Sequence, residues 1–546
     1  MARITLIAGA ANPLAGALLD SLRQATQGHV FTLADPSRLE EHVNGSTACV
    51  YVPACRGRDA MKPDLREAED VFRSAERLAC PRFVVLSSAL VYGNAPGRQV
   101  LVDESYTAPG ESGRIAEQWR CLESQAVKHF PAASLVILRP SLLMESPALP
   151  ARRLRKRFVS VLPGHDPSLQ ILSLFDLAQV MLLVIDNKMA GAYNVAPDRV
   201  VPIKRAISHA RGWCLPIPRT LQRLAGDSES LDSIRYPWTI SNAKIKRDLG
   251  FVPRRSSLAA LRDFRGRGKE IPDPEPAFDD FGLDLDYIRF RSRTIFRFLS
   301  DLYWRIEHQG MEYIPRSGPA ILVGMHRGFV PLDGAMAVHT ILCATGRVPR
   351  FLTHPMLYKF PFLFDFMSKM GGVPACRESA VRILENNELL GVFPEGVKGA
   401  FSLYRNAYRL QGFGRDAFVK LALRYRAPII PFVTVGSAEI FPVFAAIPFP
   451  WFKRYAGFPY IPITPTFPLL PLPLPSKWHT QFLSPIDTAR YPADAADDPS
   501  VIKAISVEVR TRMQCAVDDM RRRRESIFFG SIFKTPVDKT TKSAAV

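Results

Sequence analysis

Apolar runs alternate with amphipathic segments over about the first 265 residues. The runs Ile4 to Ala8, Val30 to Leu33 and Ala48 to Val52 have the length and residue types of buried strands. A glycine-containing turn and a helix over Ala17 to Arg23 follow the first run. The same alternation continues through a helix over Asp64 to Leu78 and strands over Phe83 to Leu86 and Ser134 to Arg139. This pattern predicts a doubly wound parallel sheet.

Apolar runs in the second half lead directly into polar residues. The run from Ile321 ends at His326, and a later run ends at Phe393-Pro394-Glu395. A third run, Ala427 to Val433, is marked by two prolines. The stretch Tyr287 to Arg305 spaces apolar residues among arginines and predicts a basic amphipathic helix, with an ordinary packed helix as the alternative.

A Pro-rich acidic segment, Glu270 to Asp280, separates the two patterns and is typical of a linker. A chain of 546 residues is too long for one core. We therefore predict a first domain over 1–268, a linker over 269–286, a second domain over 287–530 and a disordered tail over 531–546.

The large excess of positive charge indicates an anionic partner. Lysine and arginine number 71 against 52 acidic residues, a formal net charge of +19. No zinc-finger spacing or RNA-recognition motif is present, so nucleic acid is not predicted and an anionic membrane surface is favoured. The alternative is that the basic clusters are solvated helix faces. These clusters are Arg152 to Arg157, Arg289 to Arg293 and Arg521 to Arg524.

The eight cysteines are scattered without a paired spacing, which indicates a reducing compartment and no metal site. The first residues read as a strand and a turn rather than as a signal peptide. The segment Tyr455 to Pro475 lacks charge but carries too many prolines to cross a bilayer as a helix. Together with Ile440 to Phe452 it reads as an apolar loop region that could dip into the membrane interface or cover an acyl groove. We expect a cytoplasmic protein that associates peripherally with the inner face of the membrane.

The candidate chemistry lies in the second half. A histidine leaving an apolar run, His326, with a carboxylate close behind, Asp333, can act as a general base whose tautomer the carboxylate fixes. The turn Glu395-Gly396-Val397-Lys398 offers backbone N–H groups and an ammonium to a phosphate. A lone histidine beside a strand is more often structural, but together these features indicate acyl transfer to a phosphate-bearing alcohol.

Four segments resemble, in order, the blocks of the glycerol-phosphate and lysophosphatidate acyltransferase family. They are His326 with Asp333, Gly371 to Arg377, Phe393 to Lys398, and Ala427 to Val433. The resemblance implies an α/β acyltransferase domain with His326 and Asp333 as catalytic residues. It also implies a phosphate site at Arg377 and Lys398 with a turn shaped by Glu395 and Gly396. One departure is the spacing, because six residues separate His326 from Asp333 where the family has four.

The same resemblance implies an acyl-CoA or acyl-carrier-protein donor and a glycerolipid acceptor. Because a thioester is already activated, His326 would deprotonate the acceptor hydroxyl, which attacks the thioester directly. Acyl transfer of this kind requires no cofactor. Cys376 invites a nucleophile reading, but a thiol in this context is more often a small buried hydrophobe.

The first half resembles the extended short-chain dehydrogenase/reductase family of nucleotide-sugar epimerases and dehydratases over about residues 1–265. The resemblance rests on Ser87 to Gly93, Leu138 to Pro140, Ser173 to Ala178, Gly191 to Val195 and Lys246 to Phe251. It implies a Rossmann domain with an NAD or NADP site. The cofactor residues implied are Gly9, Asn12, Ala15, Asp35 and Ser88.

The tyrosine–lysine pair of that family is missing, because its positions fall on Pro109 and Gly113. We therefore expect this half to bind a dinucleotide or nucleotide-linked ligand without turning it over. One alternative is a working NAD(P)-dependent epimerase or reductase whose sugar or lipid product the second half acylates. Another is that both halves are binding modules.

Overall fold

The computed structural model describes residues 2–8, 12–26, 28–43, 46–56, 60–93, 100–107, 113–218, 221, 235, 239–264, 278–328, 330–360, 362–414, 416–449, 458–465 and 472–533. The chain divides into two compact units. Unit 1 comprises Met1–Leu283 and Phe360–Ser368, and unit 2 comprises Asp284–Lys359 and Lys369–Val546.

Unit 1 is built on a six-stranded parallel sheet in the order β6-β5-β4-β3-β1-β2. Its strands are β1 (Ala2–Ile7), β2 (His29–Ala34), β3 (Ala48–Tyr51), β4 (Phe83–Leu86), β5 (Leu135–Pro140) and β6 (Gly191–Val195). The chain winds outward from β1 on one side and from β3 on the other. The predicted doubly wound parallel sheet is therefore confirmed.

Both faces of this sheet are buried, which explains the unbroken apolar runs. In β3, Ala48 and Val50 join one hydrophobic layer, while Cys49 and Tyr51 join the layer on the opposite face. Successive side chains of a strand point to opposite faces, so a strand covered on both sides must be apolar throughout.

Helices connect and cover the strands of unit 1. The side chains of Asn12, Asp64 and Ser173 accept hydrogen bonds from first-turn N–H groups and so fix the starts of three helices. The helices are α1 (Pro13–Ala25), α2 (Leu39–Val43), α3 (Leu65–Arg77), α4 (Arg114–His129), α5 (Leu149–Leu154), α6 (Leu174–Asp186), α7 (Ile203–His209), α8 (Ala243–Leu249) and α9 (Ser257–Phe264).

Four pairs of short strands complete unit 1 among the described residues. They are Cys55–Arg56 with Lys62–Pro63, Leu142–Leu143 with Ile171–Leu172, Ser168–Leu169 with Val201–Pro202, and Phe158–Val161 with Trp213–Pro216.

Unit 2 is built on a seven-stranded mixed sheet in the order β7-β13-β12-β8-β11-β9-β10. Its strands are β7 (Glu307–Gln309), β8 (Ala320–Gly324), β9 (Arg350–Thr353), β10 (Val373–Pro374), β11 (Leu389–Val392), β12 (Ile429–Val435) and β13 (His479–Phe482). The five strands β12, β8, β11, β9 and β10 are mutually parallel, and β13 pairs antiparallel to β12.

The second half of the chain carries these further helices: α10 (Leu285–Arg293), α11 (Ile295–Phe298), α12 (Leu332–Thr345), α13 (Leu363–Lys369), α14 (Arg377–Glu385), α15 (Gly396–Ala400), α16 (Ala417–Tyr425) and α17 (Pro499–Arg523). Helix α17 is capped by Asp498 and packs on β12. An α/β fold for both halves is thus confirmed.

Two predicted segments differ from the structure. The stretch Tyr287 to Arg305 is not one helix, because Thr294, with φ −115° and ψ −103°, breaks it between α10 and α11, and a π-helical turn, Leu299–Tyr303, follows. The predicted apolar loop region contains a two-stranded antiparallel ribbon, Ala445–Ile447 with Ile461–Ile463. Within the part of the chain that is described, no helix has the length and apolar character needed to span a bilayer.

His479 makes the stability of unit 2 sensitive to acid. The side chain is fully buried on β13, and burial lowers the pKa of His479 to about 4; Glu307 opposes this shift, while Arg524 and Lys477 add to it. Because the unfolded state takes up a proton first as the pH falls below about 6.5, stability present at neutral pH is lost toward pH 4.

We expect the free energy of unfolding to fall by about 2 kcal/mol more between pH 7.5 and pH 5 in the wild type than in His479→Gln. Urea unfolding followed by tryptophan fluorescence measures the difference, since Trp478 directly precedes His479 in the chain and stacks on Trp304. An equal pH dependence in both proteins would contradict the prediction.

Candidate functional site

The predicted acyltransferase residues lie at one edge of the unit 2 sheet. His326 follows β8, Glu395 to Lys398 follow β11, and Arg377 follows β10. These strands are parallel, so their carboxyl ends meet at the same edge. The sheet order thus brings three separate sequence blocks to one side of the unit.

His326 and Asp333 form a direct pair despite the longer spacing. His326 Nδ1 lies 2.7 Å from Asp333 Oδ2, and the loop between them turns back at Gly328. Asp333 occupies the first turn of α12, where its Oδ1 accepts from the Gly334 N–H at 2.8 Å. The helix start therefore fixes the carboxylate that faces the imidazole.

Packing against aromatic rings also fixes the orientation of the His326 imidazole. It stacks on Phe393 with ring centroids 4.8 Å apart, and Phe393 stacks in turn on Phe351 at 5.0 Å. With Asp333 accepting from Nδ1–H, the lone pair is on Nε2. This is the tautomer that a histidine needs to take a proton from a hydroxyl.

Arg327 is a structural residue of the site that the sequence analysis did not assign. Its guanidinium donates to Glu395 Oε1 at 2.8 Å, and also to three backbone carbonyls, those of His326, Ala407 and Arg409. Its backbone N–H donates to Asp333 Oδ2 at 2.9 Å. Arg327 is 1% exposed, so its charge needs these partners.

A sequence signal for this contact existed. An arginine directly after the candidate base and a glutamate directly after Phe393-Pro394 both border apolar runs. Two opposite charges placed at the ends of neighbouring buried strands require each other once they are desolvated.

Glu395 shapes the turn rather than contacting a ligand. Oε1 is taken by Arg327, and Oε2 accepts from the Gln411 N–H at 2.6 Å. Its side chain has no exposed surface. The part of Glu395 in a phosphate site stays a prediction. Both of its oxygens have protein partners and a carboxylate repels a phosphate, so we expect Glu395 to shape the turn.

Two glycines allow this turn. Gly396 has φ +55°, a conformation that favours glycine. At Gly399 a Cβ would lie 3.2 Å from the His326 carbonyl oxygen and 3.3 Å from Arg327 Nη1. Helix α15 therefore packs directly against the loop that carries the candidate base.

Lys398 and Arg377 both lie at this edge of the sheet and have exposed side chains. Lys398 is the neighbour of Gly399 on α15 and so lies close to the His326 loop. Arg377 begins α14 after β10, three strands from β8, which places its strand roughly 14 Å from that of His326 at the usual strand spacing. Their roles in binding phosphate stay a prediction.

Cys376 is half-buried and has the character of a structural thiol. Burial raises the pKa of Cys376, and its Sγ accepts from the Ser379 N–H as the cap of α14. No group of three or more histidine, cysteine or acidic side chains suited to a metal ion occurs among the described residues.

The predicted cofactor residues of unit 1 are engaged within the fold. Asn12 caps α1 through the Leu14 N–H, Asp35 accepts from both the N–H and the hydroxyl of Ser37, and Ser88 accepts from the Leu90 N–H. Ala15 is buried in α1. Gly9 lies outside the described residues.

Of the two positions where unit 1 lacks the tyrosine–lysine pair, the structure describes one. Gly113 is the N-cap of α4 with φ +82°, and Pro109 lies outside the described residues. Tyr92 is buried, with its hydroxyl 2.7 Å from both Asn194 Oδ1 and Arg139 Nη1. Burial raises the pKa of Tyr92 to about 12, so its hydroxyl keeps its proton at neutral pH.

Comparison with known proteins assigns the second unit. A family model described as Acyltransferase matches residues 305–435, which include all four sequence blocks. An uncharacterised protein of Mycobacterium tuberculosis is 40% identical over 259 residues, 46% of this chain and 72% of that protein. This chain therefore belongs to the acyltransferase family and is an enzyme of that class.

More distant relatives have functional names. A Bos taurus protein named "DGAT1/2-independent enzyme synthesizing storage lipids" is 29% identical over 164 residues, 30% of this chain and 48% of that protein. "Phytyl ester synthase 2, chloroplastic" of Arabidopsis thaliana is 30% identical over 139 residues, 24% of this chain and 20% of that protein.

Solved structures also align with part of the chain. "MoeE5 in complex with UDP-glucuronic acid and NAD" is 15% identical, covers 49% of this chain and 99% of that chain, and has a TM-score of 0.39. The Rossmann-like description of unit 1 rests on its own parallel strand order.

We expect the effects of substituting Arg327 and Glu395 on the free energy of unfolding to be strongly coupled. Arg327→Met should cost about 3–5 kcal/mol in free energy of unfolding, because it leaves Glu395 charged and buried. The double variant Arg327→Met/Glu395→Met should recover most of that loss. Urea unfolding of the four proteins measures the coupling, with the exposed Arg377→Met as the matched control. Additive losses would contradict a buried pair.

Proposed function

We propose that this enzyme transfers an acyl group from an acyl-CoA or acyl-carrier-protein thioester to a glycerolipid hydroxyl at a membrane surface. His326 acts as the general base and Asp333 orients it. The acceptor oxygen attacks the thioester carbonyl as its proton passes to His326 Nε2, and the thiolate leaves and takes up a proton. The His326–Asp333 pair at 2.7 Å carries the proposal.

The local chemistry supports direct transfer. A thioester is reactive enough to be attacked by a deprotonated alcohol, so the site needs a base, a binding surface and no covalent intermediate. Cys376 is a poor nucleophile, because burial holds its thiol in the protonated form.

Lipid as the substrate class is supported by the names of two relatives, a storage-lipid enzyme and a phytyl ester synthase. The first name describes the synthesis of storage lipids, and the second describes the synthesis of a phytyl ester. The exposed Lys398 beside the base loop favours an acceptor, or a donor carrier, with a phosphate near the reacting hydroxyl.

Apposition to a membrane is supported by the surface of α10, α11 and the π-helical turn. Four large apolar side chains are exposed there among the exposed arginines Arg289, Arg293 and Arg297. The apolar set is Phe290, Ile295, Phe298 and Leu302. Apolar side chains set among cations match the interface of an anionic leaflet, where headgroups meet acyl chains.

His326→Ala should lower kcat for acyl transfer by about 10²–10⁴-fold, because the base step is lost. Asp333→Asn should lower kcat at least about 10²-fold with little change in KM, because the imidazole loses its orienting charge.

The assay measures transfer from labelled acyl-CoA and from labelled acyl-carrier protein to lysophosphatidate, glycerol phosphate, monoacylglycerol, diacylglycerol and phytol. His308→Ala, an exposed histidine of the same unit, is the control. Transfer that is indifferent to His326 would refute the proposed base.

Lys398→Ala should raise KM for a phosphate-bearing acceptor by about tenfold or more, with a smaller effect on monoacylglycerol. A charge-assisted contact to the acceptor phosphate is lost only where that phosphate exists. Equal effects on both acceptors, which disappear with a pantetheine thioester, would instead place Lys398 on the donor CoA.

The variant Phe298→Ser/Leu302→Ser should bind anionic vesicles of phosphatidylglycerol and phosphatidylcholine several-fold more weakly. Each large apolar side chain that is fully buried in the membrane interface contributes about 1.5–3 kcal/mol to the free energy of binding. Val507→Ser, a change at an exposed apolar position of α17, should bind as the wild type does. Unchanged sedimentation of the double variant with vesicles would exclude this surface.

A further inference from the structure

Unit 1 contains a cavity of about 590 Å³ at the carboxyl ends of β1, β3, β4 and β5. The strand order reverses direction between β1 and β3, which is where doubly wound sheets bind their ligands. The volume is within the range of roughly 300–1,000 Å³ that is usual for small-molecule sites. Its walls are largely apolar and include Leu86, Leu90, Trp119 and Leu142.

The described residues fit a dinucleotide poorly. A pyrophosphate on this fold is held by free N–H groups at the start of the first helix. Here Pro13 has no N–H, the Leu14 N–H is capped by the Asn12 side chain, and the Ala15 N–H bonds the Asn12 carbonyl oxygen. Asp35, expected on the ribose, is engaged with Ser37 in a local turn.

The charge of the cavity wall also disfavours an anion. Among the lining residues that the structure describes there is no lysine or arginine, whereas Glu67 is an acid. Cys55 contributes a neutral thiol, since burial raises the pKa of Cys55 to about 12. At the described part of the wall, an anionic ligand would face this carboxylate without a lysine or arginine to compensate it.

One polar atom in the wall has no partner within the fold. Ser141 is 5% exposed and lines the cavity, and its hydroxyl makes no hydrogen bond, although its backbone N–H bonds the Val195 carbonyl oxygen. The hydroxyl oxygen itself has almost no accessible surface, so a ligand group in the cavity meets it only after the Ser141 side chain rotates about χ1. That rotation is favoured, because a buried hydroxyl without a partner costs about 1–3 kcal/mol, which a hydrogen bond to the ligand removes.

We infer that the unit 1 cavity binds an uncharged, lipid-like molecule, an aliphatic chain with one hydroxyl or carbonyl group. The chain packs on Leu86, Leu90, Trp119 and Leu142, and its polar group bonds the Ser141 hydroxyl. Unit 1 is then a lipid-binding module on the same chain as an acyltransferase. The inference stands on unit 1 alone and does not depend on the base proposed in unit 2.

Trp119 provides the fluorescent reporter, and the experiment uses the chain with both units present. Titration with ω-bromododecanol, whose bromine quenches indole fluorescence on contact, should quench part of the tryptophan emission with saturation. The quenched part should disappear in Trp119→Phe, which removes the lining indole. Ala54→Phe, which fills the cavity, should weaken the apparent affinity by about tenfold or more. Ala132→Phe, at an exposed alanine of unit 1, is the matched control.

Ser141→Val tests the polar contact without changing side-chain size, should Ala54→Phe fail to fold. It should weaken bromododecanol several-fold and leave bromododecane unaffected. The inference would be overturned if bromododecanol gives no quenching that depends on Trp119. It would also be overturned if Ser141→Val leaves bromododecanol binding unchanged, or if NAD, NADH, NADP or NADPH displaces the alcohol.

Discussion

The buried ion pair between Arg327 and Glu395 is the interaction on which the organisation of the candidate site depends. It joins the loop after β8 to the turn after β11, two strands that are neighbours in the sheet. Neither charge is tolerable in this interior without the other. The backbone carbonyls that also accept from Arg327 extend the same network to the segment around Ala407 and Arg409.

The network continues toward the end of the chain. Gln514 on α17 accepts from the Leu410 N–H and donates to the Tyr408 carbonyl oxygen. The Tyr408 hydroxyl and Arg524 both bond Glu439, a carboxyl whose pKa burial raises and Arg524 lowers. The base loop is therefore braced by segments more than a hundred residues away, and its geometry is a property of the whole unit.

Much of the fold followed from the sequence because burial on both faces makes strands continuous and apolar. The strand Phe83–Leu86 was predicted at its observed bounds, and helix α3 was predicted to within one residue. The break at Thr294 was not, because an apolar period that is compatible with one helix does not report a local change of dihedral angles. The ribbon at Ala445–Ile447 was missed because proline-rich flanks favour an irregular interpretation.

The candidate site was predictable where a motif names both partners, as with His326 and Asp333. Their longer spacing left the contact open, and the first turn of α12 explains how the pair still forms. Arg327 was missed because its role depends on the register of β8 beside β11, a tertiary fact. The interior positions of Glu395 and Ser141 were hidden for the same reason, since polarity alone does not reveal which polar side chain is buried.

The proposed chemistry depends on Asp333 holding His326 with the proton on Nδ1 and the lone pair on Nε2. Nitrogen-15 NMR of the histidine-labelled protein at a pH above the imidazole titration measures this tautomer directly, with His326→Gln to assign the signal. We expect a protonated Nδ1 and an unprotonated Nε2, and we expect Asp333→Asn to abolish this preference. A protonated Nε2 in the wild type, or a tautomer indifferent to Asp333, would contradict this expectation.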